Sequence, residues 1–164
     1  MTTDLTVIAA DERSPSESAR VDVDVARWER LAVDVLLDHD ASGELTLTFV
    51  DTEEIASLNA EHMGGHGPTD VLSFPLDDDG ESDVPTLLGD VVICPAVAAE
   101  QCAGHAGTVD DELALLVVHG ILHVLGHDHA EAAEAERMRA RELELLVAHH
   151  WGSAPPPGFR QTHD

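Results

Sequence analysis

The run HGILHVLGHDH places His119, His123 and His129 close together in the chain. Side chains four apart leave one face of a helix, so His119 and His123 can grip a single ion. Gly126 lets the chain turn back after that helix and bring His129 round as a third ligand. Three neutral imidazoles suit Zn²⁺ and leave a fourth position for water, the arrangement of a catalytic rather than a structural site. A lone histidine on an apolar helix is usually a satisfied core residue, but that alternative would here bury three imidazoles at considerable cost. His127 competes with His129 for the third place; the reading gives it to His129 and turns His127 to solvent. In zinc proteases the residue directly after the first histidine is a glutamate acting as general base. Here it is Gly120, and the protease reading loses its proton acceptor. Bound zinc lowers the pKa of its water toward about 7 by its own charge, so hydrolysis stays open for an electrophile the same ion polarises. Phosphodiesters fit that description.

The pair needs a helix to carry it, and the pattern predicts one over Val109 to Leu125. Thr108 is its N-cap, and Asp110, Asp111 and Glu112 occupy the first turn, where the helix dipole favours anions. Beyond that turn it is apolar all round, the mark of a helix central to its fold, so its histidines are expected to be desolvated. Strands are predicted at Leu5 to Ala10, Glu44 to Val50, Pro68 to Pro75 and Leu88 to Cys94, the third near a sheet edge because prolines bound it. Helices are predicted from Val25 to Leu37 behind Asp24, from an Asp51/Glu54 capping box to about Glu61, from Pro95 to Ala103, and from Ala130 to His150. Arg137 and Arg141 on the last helix read as partners of glutamates one turn before them. Asp11 to Ser18 reads as a loop. Asp77 to Asp83 reads as a solvated acidic loop, since it lacks the alternating ligands and closing glutamate of a calcium site. The expected fold is α+β, a mixed four-stranded sheet packed with about five helices around the central metal-binding helix. One domain is expected over residues 1–152, with a flexible tail over 153–164.

The chain has 164 residues, enough to bury a core without disulfides. Aromatics are 3% and tyrosine is absent, so the core must be aliphatic. With 33 acids against 8 arginines and no lysine, the net charge is −25. That excludes holding nucleic acid or anionic lipid by bulk charge, and any RNA contact must be local or metal-assisted. Met1 to Ala10 lacks the pattern of a secretory signal, and the longest apolar stretch, Leu113 to Gly126, is too short for a bilayer. A cytoplasmic protein without membrane contact is expected. Cys94 and Cys102 are too few for a disulfide framework and read as small buried hydrophobes.

The histidine run resembles the H-G-x-L-H-x-x-G-x-D-H signature of the YbeY family, bacterial metal-dependent endoribonucleases of ribosomal RNA maturation. Leu58 and Asn59, followed by Pro68, Thr69, Asp70, Val71, Leu72, Ser73 and Phe74, resemble its L-N and P-T-D-V-L-S-F block. Gly89, Asp90, Val91 and Ile93 resemble its G-D-I-x-I strand. The resemblance implies one Zn²⁺ per chain on His119, His123 and His129, and single-stranded rRNA of the small ribosomal subunit as substrate, cut near the 16S 3′ end. It implies no role on DNA. The alternatives are an assembly factor with a structural zinc and a zinc hydrolase of another substrate class. Four residues after Asn59 the family commonly has an arginine implicated in cleavage; Met63 stands there. His62 and His66 offer polar groups in the same loop. Thr69, Asp70 and Ser73 are either turn and strand chemistry or the wall of a substrate groove. Asp70 and Asp128 are both candidates to orient a zinc imidazole through its second nitrogen.

Overall fold

A computed structural model describes residues 5–76, 87–127 and 130–161. Four strands, β1 (Leu5–Asp11), β2 (Gly43–Phe49), β3 (Val71–Pro75) and β4 (Leu87–Ile93), form one sheet in the order β1-β2-β4-β3. β2 lies parallel to both β1 and β4, while β3 runs antiparallel to β4 with Ser73 opposite Val91. The sheet is therefore mixed, and β3 is an edge strand, where its closing proline costs no ladder bond. Along β2 the period of two is strict: Leu45, Leu47 and Phe49 are buried, while Glu44, Thr46 and Thr48 on the other face are partly exposed.

The α-helices are α1 (Pro15–Ser18), α2 (Val25–Asp38), α3 (Thr52–Leu58), α4 (Pro95–Gln101), α5 (Val109–Val124) and α6 (Ala132–Leu146). α3 and α6 each run on into a π-helical turn, Asn59–Met63 and Val147–Trp151. The helix absent from the sequence reading is α1, in the segment taken as a loop. It buries none of its residues and is held from outside. The Asp51 carboxylate accepts the Ser14 N–H at 2.9 Å, and Glu17 accepts from the Thr52 N–H at 3.2 Å and its hydroxyl at 2.7 Å. The capping box expected at Asp51 does not form; the starts of α1 and α3 exchange carboxylates instead. Asp24 and Thr108 do cap their own helices, accepting from Arg27 and Asp111.

Leu45, Leu47, Phe49, Val91 and Ile93 of the sheet meet Trp28, Leu31, Val35 and Leu36 of α2 and the apolar body of α5 in one core. Full burial of each such side chain contributes about 1.5–3 kcal/mol before entropy opposes it. On the opposite face a smaller cluster joins Leu72, Val92 and Cys94 to Val50 and Ile55. Both cysteines are buried and unpaired, and burial pushes the Cys94 thiol above its usual range. Beyond Gly152, Phe159, Arg160 and Gln161 touch the body. Phe159 packs edge-on to Trp151, the Arg160 N–H reaches the His105 carbonyl at 3.0 Å, and the Gln161 amide donates to the Arg139 carbonyl at 2.8 Å. The acidic stretch Asp77 to Asp83 lies outside the described residues. Among the described residues no helix is long and apolar enough to cross a membrane.

Candidate active site

α5 presents the histidine pair at the end that Gly126 closes. Gly126 has φ +101°, its N–H bonds the His123 carbonyl at 3.0 Å, and the His127 N–H bonds the Leu122 carbonyl at 2.9 Å. These two bonds make a Schellman closure, which a left-handed glycine permits. One turn apart, the His119 and His123 rings stand nearly perpendicular with centroids 4.7 Å apart. Both are partly buried rather than fully desolvated, because they line a cavity of about 370 Å³. Its other wall is the β3 edge, with Asp70, Ser73 and Pro75, and Met63 stands at its margin. The structure thus brings four predicted residues, His119, His123, Asp70 and Ser73, to one cavity.

His119 turns its Nδ1 toward Glu142 of α6, a carboxylate only 2% exposed. An ionised carboxylate can only accept, so the proton sits on Nδ1 and the lone pair of the neutral ring on Nε2. That is how proteins prepare a metal-binding histidine. The sequence reading names Asp70 and Asp128 as candidates for such a contact; His119 meets Glu142, which that reading does not name. The signal was present: Met138, Glu142, Leu145 and Leu146 share the buried face of α6, and an acid on an apolar stripe needs a partner. Asp70 accepts from the Val71 N–H at 2.7 Å, the Gln101 amide at 2.7 Å and the Thr69 hydroxyl at 3.4 Å.

Glu112 stands in the first turn of α5 as expected, and there it is fully buried, accepting from His105 Nδ1 at 2.6 Å, Gln101 at 2.9 Å and the Ala106 N–H at 3.3 Å. His127 is not turned to solvent; it lies partly buried and edge-on to His39, and burial, then His39 and Arg141, hold its pKa below the usual range. Arg141 pairs with Glu144 at 3.6 Å, one turn after it rather than before, and donates to His39 at 3.3 Å.

Gly120 has a steric reason. A Cβ there would stand 2.6 Å from Val91 Cγ1, and the Ser73 hydroxyl bonds the Gly120 carbonyl at 3.1 Å. The helix backbone lies on the sheet, so the glutamate of a zinc protease has no room. The Asn59 side-chain amide donates to the Gly67 carbonyl at 3.0 Å and the Asn59 backbone carbonyl accepts from the Gly65 N–H at 3.1 Å, which pins the glycine loop. Met63, 51% exposed, ends the turn before that loop. His62 points elsewhere: its ring packs edge-on to Phe74, and it lines a second cavity of about 450 Å³ on the other sheet face with Thr46, Thr48 and Asp90. His66 is exposed.

Asp128 and His129 lie outside the described residues, and among the described residues no group of three metal-binding side chains forms. The pair that is described fits a metal of zinc's softness: two imidazoles on successive turns, one fixed by a buried carboxylate, facing a cavity.

The family model described as Endoribonuclease YbeY matches residues 14–150. The chain is similar to the protein named Endoribonuclease YbeY of Kineococcus radiotolerans, 41% identical over 149 residues, covering 87% of this chain and 86% of that protein. It is similar to that of Thermobifida fusca, 42% identical over 145 residues, covering 85% and 90%. With that of Acidothermus cellulolyticus the identity is 49% over 141 residues, covering 78% and 85%. Among solved structures, the solution structure of a Thermotoga maritima protein superposes with a TM-score of 0.52 at 21% identity, over 95% of this chain and 99% of that one, a likeness of fold.

Proposed function

Because the chain belongs to the endoribonuclease YbeY family, we propose that it is a zinc-dependent hydrolase of phosphodiester bonds in single-stranded RNA, acting in 16S rRNA 3′ end maturation and ribosome quality control. The observation that carries this reading is the cavity in which His119 and His123 face the β3 edge. His119, His123 and His129 would hold one Zn²⁺ per chain. When bound, the ion supplies Lewis-acid chemistry, acidifying water and polarising a phosphoryl oxygen.

The chain's own residues do the rest. Glu142 holds the proton at His119 Nδ1 and keeps that ring turned to the cavity. Ser73, by bonding the Gly120 carbonyl, fixes the distance between the β3 edge and the histidine helix. Asp70 stands on the strand side, while the glycine loop pinned by Asn59 borders the approach. A cavity of about 370 Å³ suits one nucleotide of an extended strand better than a duplex. Its partners are then single-stranded rRNA and the small ribosomal subunit, in the cytoplasm, with no role on DNA or membranes.

Metal analysis of the purified protein, paired with cleavage of a single-stranded segment from the small-subunit rRNA 3′ end, tests the reading. One zinc per chain and cleavage are expected, with both lost in a folded His123→Ala variant. A folded variant that loses zinc yet keeps its cellular role would refute catalysis as the function. Met63 at the cavity margin favours one second reading, an assembly factor whose zinc is structural, because no arginine lines the cavity among the described residues.

A further inference from the structure

We propose that Gln101 is a positioning residue for Asp70, and that the buried Glu112 and His105 behind it hold Gln101 in place; the assignment rests on the nuclease reading above. Gln101, at the end of α4, offers one side-chain NH₂ group to two carboxylates, Asp70 at 2.7 Å and Glu112 at 2.9 Å. Ionised carboxylates only accept, so the amide has one possible orientation and both of its N–H bonds are used. The second Glu112 oxygen takes the Nδ1–H of His105 at 2.6 Å and the Ala106 N–H at 3.3 Å. At the other end, Oδ1 of Asp70 takes the Val71 N–H at 2.7 Å. Asp70 is thereby gripped on both oxygens while it lines the cavity that the histidine pair faces.

The array joins four separate segments: the residue before β3, the end of α4, the turn holding His105, and the first turn of α5. Stability alone does not call for it. A fully buried acid is costly to desolvate, and apolar residues of the same volume often do as well or better. What apolar residues cannot do is fix the direction of a carboxylate at the cavity wall. A donor shared between two acids does that without adding a charge to the cavity, and small displacements of aligned groups are costly in catalysis.

Gln101→Met keeps the volume and removes the donor. On single-stranded RNA, measured where the variant is fully folded, we expect kcat to fall about tenfold to a hundredfold with KM within about twofold of wild type and zinc content unchanged, while the urea midpoint drops because Glu112 loses a donor. A kcat within about twofold of wild type overturns the assignment, as does a fall in kcat that merely tracks lost zinc or lost stability. A second measurement needs no cleavage. In nitrogen-15 spectra of the full chain, the Gln101 side-chain protons should exchange slowly and shift in Glu112→Gln; free exchange at the rate of an exposed glutamine overturns the array even if Gln101→Met fails to fold. Absence of cleavage by the wild type would sink the nuclease reading and this assignment with it. Cleavage undiminished in Gln101→Met sinks the assignment alone.

Discussion

Glu142, bonded to His119, and Met63, in the cavity lining, both stand outside the set of three histidines proposed to hold the metal. Removing the Glu142 carboxylate frees the His119 ring to rotate and to change tautomer. Glu142→Ala should therefore weaken zinc binding about tenfold to a hundredfold, read by competition with a chromophoric chelator, and Glu142→Gln should weaken it less because an acceptor remains. Met63→Arg would place a guanidinium where a phosphate oxygen can take two bonds from it. Cleavage of single-stranded RNA should rise by about tenfold, worth roughly 1.4 kcal/mol in the barrier, with zinc affinity unchanged. The histidine spacing was legible because i and i+4 on an apolar helix is a local geometry. The partners were not, since Glu142 lies 23 residues from His119 and Glu112 meets groups from α4 and the turn after it. Both acids nevertheless sit among buried apolar neighbours, the one trace such partnerships leave in a sequence.

The strands and the long helices follow from periodicity and caps, and their observed bounds differ from the sequence reading by a residue or two at most of their ends. α1 does not, because Pro15–Ser18 is a single turn, too short to show a period, with only Pro15 at its start and Glu17 in its first turn to mark it; Asp51 and Arg13 hold it from outside. The Arg13 guanidinium binds Asp11 at 2.9 Å and the Val21 carbonyl at 2.8 Å, and its side chain is 2% exposed. Its hydrogen bonds hold the Asp11 carboxyl below the usual carboxylate range, against burial, which acts the other way. A depressed carboxyl stabilises the fold fully above its unfolded pKa of about 3.9, and that contribution is lost as pH falls through the lower folded value. Urea unfolding should accordingly show Asp11→Asn less stable than wild type at neutral pH, with the two converging in acid. A difference that persists unchanged in strong acid would mean that the charge of Asp11 is not what Arg13 uses.

A whole molecule with a net charge of −25 repels a polyanion at distance, whatever its cavity does at contact. Screening shortens that repulsion, so RNA association with the zinc-loaded protein should strengthen from low to moderate salt, against the trend expected of counterion release. Anisotropy titrations with labelled single-stranded RNA would measure it, and a steep loss of binding over that range would rule the idea out. The fold also limits what chemistry this scaffold could acquire by mutation. A peptide-cutting relative would need an acid beside His119, and the backbone of α5 rests on Val91 just there. Two coordinated changes, one in the helix and one hollowing the sheet, would have to arrive together, so a shared histidine spacing is no sign that the two kinds of enzyme can be interconverted one substitution at a time.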